Sequence, residues 1–201
     1  LMAVVKADGY GHGAETVAKA AIRGGASSLG VATLQEGIEL RQVGLKCPIL
    51  VLGNLTEPDE LAACLDWSLM PTLSSLRESL ICKNLAQVRN QPFGVQVKLD
   101  TGMTRLGCEL REAKRLILSV YRSNYLKLEG VYSHLALVDG DCHEQTEKIT
   151  KQQQRSFEKL LLELSSLIKG YKRHLANSAG TLRDPNLHYD MVRVGLSLYG
   201  Y

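Results

Sequence analysis

A lysine follows directly on the first apolar run of the chain and precedes a glycine-rich segment. Residues 1–5 are apolar, Lys6 comes next, and glycines at positions 9, 11 and 13 surround Tyr10. A lysine amine at the end of a strand is a candidate for Schiff-base chemistry, and glycines permit tight turns and close approach of a ligand. An isolated strand-end lysine can also simply reach solvent, and this glycine spacing matches neither a P-loop nor a dinucleotide-binding fingerprint.

A second group of charged residues follows the apolar segment Gly94–Leu99. Lys98 and Asp100 lie two positions apart and therefore share one face of a strand, and Arg105 follows in a loop that contains two glycines. The planar guanidinium of an arginine can bind a carboxylate or a phosphate through two hydrogen bonds. This group is either part of a binding site or a structural cluster of Lys98, Asp100 and Arg105.

Polar residues also follow the later apolar runs. His134 and His174 each lie near a predicted strand end, where a lone histidine is more often a buried core residue than a catalyst. The segment Asn177–Gly180 places a hydroxyl and backbone amides at the start of a predicted short helix, which suits an anion. Gly195 follows Arg193, and backbone N–H groups there could reach the same anion. These features predict a phosphate-binding site near the end of the chain.

Eight short apolar runs alternate with segments of helical periodicity, and this alternation determines the predicted fold. It favours an α/β fold of the (β/α)8 TIM-barrel type over an open doubly wound sheet. The longest helical segment, residues 145–168, is predicted to bury Phe157, Leu160, Leu161, Leu164 and Leu167. The predicted strands are Leu1–Val5, Leu29–Ala32, Ile49–Leu52, Leu69–Thr72, Gly94–Leu99, Leu128–Ser133, Arg173–Ala176 and Met191–Val194.

A parallel barrel would bring these groups together, because its active site lies at the carboxyl ends of the strands. The loops after strands seven and eight of such barrels commonly hold phosphate. Lys6 follows strand one, which is the neighbour of strand eight in a closed barrel. A lysine amine beside a phosphate site is what pyridoxal phosphate requires, so we predict that cofactor.

Composition excludes several other classes of protein. The 201 residues include 24 Lys and Arg against 21 Asp and Glu, a net charge of +3, and 45% are hydrophobic. Scattered basic residues argue against nucleic acid as a partner, and no apolar run approaches the roughly 20 residues of a membrane span. No signal sequence is evident, so we expect a cytoplasmic protein. The length is short for a barrel, which typically needs about 250 residues.

The cysteines and the remaining histidines suggest no metal site. The segment Asp139–Glu144 lacks the ligand spacing of a tetrahedral metal centre, and His143 and His188 are predicted to be surface residues. Without a C-x-x-C pair, the cysteines fit a reduced, cytosol-like compartment. They are Cys47, Cys64, Cys82, Cys108 and Cys142.

Five segments, in order and across the whole chain, resemble the pyridoxal-phosphate barrel of the alanine racemases. They are VVKADGYGHG, VKLDTGMTRLG, YSHLA, HLANSAG and MVRVGLSLYG. The resemblance implies that Lys6 is the Schiff-base lysine and an acid/base at the substrate Cα. It also implies that phosphate is bound by Tyr10, Ser178, Gly195 and Leu196, the last two through backbone N–H groups.

The same resemblance gives roles to the other candidates. Asn177 and His134 would line the cofactor, and His174 would support it from behind. Arg193 matches the arginine that hydrogen-bonds the pyridine nitrogen; because a guanidinium does not give up its proton, the cofactor would be a weaker electron sink than with an Asp partner. Arg105 would bind the substrate carboxylate, positioned by Lys98, whose equivalent in the family is often carbamylated.

The family resemblance predicts interconversion of L- and D-alanine for peptidoglycan synthesis by a homodimer. In that family a tyrosine from the partner's C-terminal β-domain serves the opposite face of Cα. We expect residues 1–201 to be one barrel domain without that β-domain, truncated at both ends and inactive alone, and neither Tyr199 nor Tyr201 to replace the missing tyrosine. Alternatives are a racemase of broader specificity, a D-amino-acid dehydratase or aldolase, or a non-catalytic pyridoxal-phosphate-binding barrel that serves cofactor supply.

Overall fold

Eight parallel strands form a nearly closed barrel in a computed structural model that describes residues 1–138 and 143–201. Their order around the barrel is β8-β7-β5-β4-β3-β2-β1-β9. The predicted (β/α)8 barrel is therefore confirmed. The barrel strands are β1 (Met2–Val4), β2 (Ser28–Val31), β3 (Ile49–Asn54), β4 (Met70–Leu73), β5 (Phe93–Asp100), β7 (Leu126–Tyr132), β8 (Lys172–His174) and β9 (Arg193–Val194). A short strand that was not predicted, β6 (Cys108–Glu109), pairs with the end of β5.

Helices follow the strands, and some of them begin with a capping box. The Thr33 hydroxyl caps the helix after β2, and Glu36, three residues further on, completes its capping box. Ser75 and Glu78 form the same motif at the start of the helix after β4. The helical segments are α1 (Lys6–Gly11), which is a left-handed turn, and the helices α2 (Ala14–Arg23), α3 (Leu34–Gln42), α4 (Pro58–Asp66), α5 (Leu76–Arg89), α6 (Leu110–Tyr121), α7 (His143–Leu164) and α8 (Ser178–Arg183).

The long helix α7 ends earlier than its sequence pattern predicts. It stops at Leu164, and the N–H groups of Leu167 and Ile168 both bond to the Leu164 carbonyl in a turn. Leu167 is consequently 44% exposed, so its predicted burial is wrong, whereas Ile168 is 3% exposed and takes the core position. None of the described helices is both long and apolar enough to cross a membrane.

The barrel closes between its last two strands without a regular ladder. Because β8 and β9 have only three and two residues, single hydrogen bonds join them instead. The Arg193 N–H donates to the Ala176 carbonyl at 3.0 Å, and the Asp190 N–H donates to the Arg173 carbonyl at 3.0 Å. The Arg173 side chain also forms an ion pair with Asp190. We call these contacts the β8–β9 seam.

Two apolar clusters lie on opposite sides of the barrel wall. The larger one fills the space between strands and helices, as expected for parallel strands that are covered on their outer face. The smaller one lies inside the barrel and includes Met2, Leu50, Tyr132 and Met191. Above it the inward-facing residues become polar, and this change marks the end of the barrel where a ligand could bind.

Candidate active site

A cavity of about 770 Å³ opens at the carboxyl ends of the barrel strands. The structure brings the predicted site residues together in its wall, although they come from five loops far apart in sequence. His174 is fully buried and contacts the wall through Arg193. The lining includes Lys6, Tyr10, Lys98, Arg105, His134, Asn177, Ser178, Arg193, Gly195 and Leu196.

Lys6 stands at the start of a left-handed turn. Ala7, Asp8, Gly9 and Tyr10 have φ values of 51°, 51°, 61° and 52°, so four successive residues adopt a conformation that L residues seldom adopt even singly. The Ala14 N–H donates to Asp8 Oδ1 at 2.7 Å and holds the far end of this turn. The turn places Tyr10 on the same cavity wall as Lys6, whose Nζ lies 5.8 Å from the centre of the Tyr10 ring.

Two backbone N–H groups converge on one hydroxyl at the predicted phosphate site. The N–H groups of Gly195 and Ser197 donate to Ser178 Oγ at 3.0 and 3.3 Å. Leu196 also lines the cavity, but the second converging N–H belongs to Ser197, which was not predicted. A Cβ on Gly195 would lie 2.6 Å from the Tyr10 hydroxyl oxygen, so a side chain at this position would displace the Tyr10 hydroxyl. We call Tyr10, Ser178, Gly195 and Ser197 the anion cradle.

Arg193 is buried, and its two terminal nitrogens bind the protein. Nη1 donates to His174 Nδ1 at 2.9 Å and to the His174 carbonyl at 3.1 Å, while Nη2 donates to the carbonyls of Ser133 at 2.6 Å and Leu175 at 3.0 Å. Burial lowers the pKa of Arg193 to about 10, so the guanidinium remains charged near neutral pH. Its position in the cavity wall is therefore fixed by the ends of β7 and β8.

The contact with Arg193 determines the tautomer of His174. An arginine N–H can only donate, so His174 Nδ1 accepts and the ring proton is on Nε2. That proton is donated to Gln96 Oε1 at 2.8 Å. Burial, followed by the charge of Arg193, holds the pKa of His174 well below its usual value. The histidine is therefore neutral and serves as an acceptor for the guanidinium.

Positive charge dominates the cavity. Burial, and then repulsion from Arg105 and Arg193, lower the pKa of Lys98 to about 8, although Asp100 opposes the shift. The pKa of His134 falls to about 3, first because of burial and then because of nearby cations. The lining residues of the described chain include no Asp or Glu; the cationic ones are Lys6, Lys98, Arg105, Arg183 and Arg193. Such a cavity favours an anionic ligand.

Asp100 shapes the loop that carries Arg105. Its Oδ1 accepts hydrogen bonds from the N–H groups of Gly102 at 3.0 Å and Thr104 at 2.9 Å. The carboxylate therefore orders the loop, and Arg105 lines the cavity. This arrangement fits the binding-site interpretation of the charged group better than a purely structural cluster.

Three further inward-facing residues support the site and were missed in the sequence. The Tyr132 ring stacks on His174 with centroids 4.8 Å apart, and its hydroxyl lies 2.8 Å from Thr72 Oγ1. Gln96 receives the His174 proton. The side-chain alternation of a strand could have found two of them, because residues two positions apart face the same side of a sheet. Tyr132 precedes His134 by two positions, and Gln96 precedes Lys98 by two.

The residues that the sequence analysis set aside lie elsewhere. His188 is half-buried outside the cavity, where Nε2 donates to the Thr181 carbonyl at 2.9 Å. Residues 139–142 and the His143 side chain lie outside the described residues, so the interpretation of that segment remains a prediction. In the part of the chain that the structure describes, no group of three or more His, Cys, Asp or Glu could hold a metal ion. The described cysteines, at positions 47, 64, 82 and 108, are free thiols.

Comparisons with known proteins find relatives that match this chain over its whole length. The family model for the alanine racemase N-terminal domain matches residues 1–201. Curated relatives include alanine racemases of Prochlorococcus marinus, 60% identical over 201 residues, and of a Nostoc species, 48% identical over 203 residues. Each alignment covers 100% of this chain but 52% of the relative. The chain thus spans about half the length of the curated relatives it matches.

Solved structures give the same result for the fold. The alanine racemase of Clostridium difficile superimposes with a TM-score of 0.92 at 34% identity, covering 100% of this chain and 51% of that chain. The Bacillus anthracis alanine racemase with bound L-Ala-P superimposes with a TM-score of 0.87 at 32% identity, again covering 100% and 51%. On the family match and these similarities, the chain belongs to the alanine racemase family, in the part that forms the N-terminal barrel.

Proposed function

We propose that this chain is the cofactor-binding part of an enzyme that interconverts L- and D-alanine with pyridoxal phosphate. The observation that carries the proposal is the meeting of Lys6, the anion cradle and Arg193 around one cavity. Because the chain spans about half of its relatives, the activity is proposed for the whole protein. We further propose that residues 1–201 form one barrel domain and that the whole enzyme is a cytoplasmic homodimer which supplies D-alanine for peptidoglycan.

The residues fit pyridoxal phosphate in charge and in shape. A cavity with several cations suits a phosphate and a substrate carboxylate, and the missing side chain of Gly195 makes room for the Tyr10 hydroxyl beside the converging N–H groups. When bound, pyridoxal phosphate supplies an electron-withdrawing ring that stabilises negative charge at the substrate Cα. The phosphate would be held by Tyr10, Ser178 and the N–H groups of Gly195 and Leu196, with Ser197 as an additional donor.

Lys6 and Arg193 would act at the reacting end of the cavity. The Lys6 amine would hold the cofactor covalently and move a proton to or from one face of Cα. Arg193 would face the pyridine nitrogen, and with a pKa of about 10 it keeps its own proton there. His134 and Asn177 would line the ring, while His174 fixes the guanidinium.

Arg105 and Lys98 would serve the substrate. The Arg105 guanidinium would bind the substrate carboxylate through two hydrogen bonds. Since the pKa of Lys98 falls to about 8, part of this amine is neutral near physiological pH, the form that carbamylation requires. A carbamylated Lys98 would replace repulsion of Arg105 by attraction. The proton on the opposite face of Cα would come from the partner's C-terminal domain, so we expect the 201-residue chain alone to be inactive.

The covalent role of Lys6 can be tested by reduction and mapping. The protein is incubated with pyridoxal phosphate and borohydride, and digested peptides are analysed by mass spectrometry. We expect the pyridoxyl group on Lys6 and its loss in Lys6→Ala. Lys98→Met is the matched control, because it removes the other lysine of the cavity and should leave the label in place. A label on Lys98 or on surface lysines instead would contradict the proposal.

A racemisation assay distinguishes the alternatives. The full-length dimer and the 201-residue chain are each given L-alanine and a set of other L-amino acids, with and without a divalent metal. Turnover of alanine by the dimer supports the proposal, and equal turnover of many amino acids favours a broad-specificity racemase. Metal-dependent elimination or aldol cleavage favours a dehydratase or aldolase. A labelled Lys6 without turnover in the dimer favours the cofactor-supply protein.

A further inference from the structure

A single carboxylate connects the turn that follows Lys6 with the next β/α unit. Glu36 Oε1 accepts the Ala7 N–H at 2.7 Å. The other oxygen, Oε2, accepts the N–H groups of Ala32 at 2.6 Å and Thr33 at 3.1 Å. The amide of Ala7 belongs to the peptide that links Lys6 to the left-handed turn. Glu36 therefore contacts the backbone directly beside the candidate catalytic lysine.

The left-handed turn needs such external contacts. Ala7, Asp8 and Tyr10 carry side chains and still have φ values near 50°. This conformation is unfavourable for L residues and persists only where the surroundings stabilise it. Without support, the peptide after Lys6 would relax to a right-handed or extended conformation and would move Tyr10 out of the anion cradle.

The chain contains a second capping box in which this additional contact is missing. Glu78 Oε2 accepts the N–H groups of Ser74 at 2.5 Å and Ser75 at 3.1 Å, and the Glu78 N–H donates to Ser75 Oγ at 3.3 Å. Glu36 repeats this pattern with Ala32 and Thr33. The two glutamates therefore cap their helices alike, and they differ in the contact that Glu36 Oε1 makes with the turn.

We propose that Glu36 is a positioning residue, which holds the left-handed turn and thereby orients Lys6 and Tyr10 toward the cofactor. The proposal rests on the proposed function, because Lys6 matters here as the cofactor-binding lysine. Glu36 acts through the backbone, and it is absent from the residues that line the cavity.

The first test uses the wild-type protein without cofactor. A hydrogen bond transmits a scalar coupling, so NMR should detect a coupling between the Ala7 amide nitrogen and the Glu36 side-chain carbonyl carbon. Absence of this coupling, with the Ala32 coupling to Glu36 present, would overturn the proposal. This measurement requires no variant and does not depend on the role of Lys6.

The second test compares Glu36→Gln with Glu78→Gln. A Gln side chain has only one acceptor oxygen. If this oxygen keeps the hydrogen bonds from the N–H groups of Ala32 and Thr33, the NH₂ group faces the Ala7 N–H, and the hydrogen bond to Ala7 is lost. In Glu36→Gln we therefore expect the Ala7 amide to exchange about tenfold faster, on the scale of one lost hydrogen bond. In Glu78→Gln the exchange at Ala7 should match the wild type.

The same variants are then labelled with pyridoxal phosphate and borohydride at limiting cofactor. We expect labelling of Lys6 to fall about tenfold in Glu36→Gln and to stay at the wild-type level in Glu78→Gln. Equal losses in both variants would show a general effect of capping and would overturn the positioning role. If the wild type is not labelled at Lys6, the proposed function fails, and the coupling and exchange measurements still decide the role of Glu36.

Discussion

Arg193 combines two tasks in one guanidinium. Its terminal nitrogens bind three backbone carbonyls and His174, and the group lines the cavity. Leaving a buried charged donor unpaired is costly, so these acceptors determine where the guanidinium can lie. The residue that would face the cofactor is therefore positioned before any ligand binds.

His174 should make the protein sensitive to acid. Its pKa lies well below the usual value in the folded state, first because of burial and then because of Arg193. Between that pKa and about 6.5 the unfolded chain binds one more proton, so the free energy of unfolding falls as the pH falls through this interval. In His174→Gln this titrating group is absent. The free energy of unfolding should therefore depend less steeply on pH in this interval, by about 1.4 kcal/mol per pH unit.

The measurement is urea unfolding of the wild type and His174→Gln at several pH values from 7 to 5. The variant loses stability at every pH because its contact with Arg193 is gone, so the slope is compared and not the absolute value. His134→Gln is the matched variant: the pKa of His134 is about 3 in the folded protein, and the slope should fall in the same way. A slope equal to that of the wild type would contradict the prediction.

At the scale of elements, the loops after the strands are ordered by side chains from neighbouring helices. Gln153 on α7 is 2% exposed; it accepts the Ala136 N–H at 2.8 Å and donates to the His134 carbonyl at 3.0 Å and to Thr101 Oγ1 at 3.2 Å. One amide group thus joins the loop that carries His134 to the loop after β5. These contacts position two parts of the cavity wall relative to each other.

Gln153→Leu should destabilise the protein by about 2–3 kcal/mol, because it leaves buried polar groups of both loops without partners. Gln152→Leu is the matched control one position earlier, where the side chain is exposed and a change of less than about 0.5 kcal/mol is expected. Thermal and urea unfolding measure both values. Similar losses in the two variants would show that the buried amide has no special role.

The sequence predicted the strands and capping residues well because they depend on local patterns. Short apolar runs located the eight barrel strands, and Thr33 followed three positions later by Glu36 is the local pattern of the capping box that the structure contains. The left-handed turn could not be predicted from Ala7 and Asp8, since neither residue prefers positive φ strongly enough to show it. The hydrogen bond between Ala7 and Glu36 helps to stabilise this conformation. Because these residues are 29 positions apart, the sequence around Ala7 does not indicate the contact.

The candidate site shows the same division between local and tertiary information. Lys6, Arg105 and Arg193 could be predicted because they end apolar runs or belong to specific motifs. Gln153 could not, because a glutamine in a polar helix segment looks like any exposed residue until the fold buries it. Ser197 was missed for a related reason: its backbone N–H, and not its side chain, contacts Ser178.

On the scale of the whole molecule, the β8–β9 seam is the place where the barrel closes. Arg173 donates from Nε and Nη2 to Asp190 at 2.7 Å each, and its backbone N–H donates to the same carboxylate at 2.8 Å. These bonds lower the pKa of Asp190. The stabilising contribution is therefore present at neutral pH and is lost as the pH falls through that lowered pKa.

Asp190→Asn should lower the free energy of unfolding by about 1 kcal/mol. The expected change is small because the Asp190 side chain is 34% exposed and solvent screens its ion pair with Arg173. Asp66→Asn is the control, since Asp66 forms a similar exposed pair with Arg89 between two helices and should change stability by less than about 0.5 kcal/mol. Hydrogen exchange should also become faster at the Arg193 amide in Asp190→Asn alone. Unchanged exchange at Arg193 would contradict a role in closure.

The pairing of β1 with β9 has a consequence for the order in which the molecule folds. Met2 is the register partner of Arg193, so almost the entire chain lies between β1, which Lys6 follows, and β9, which contains Arg193. Neighbouring β/α units can form as soon as they are synthesised, but among the strand pairings this one closes the longest loop and carries the largest entropic cost of closure. We therefore expect the cavity beside Lys6 and Arg193 to be completed late in folding, after the neighbouring β/α units have formed.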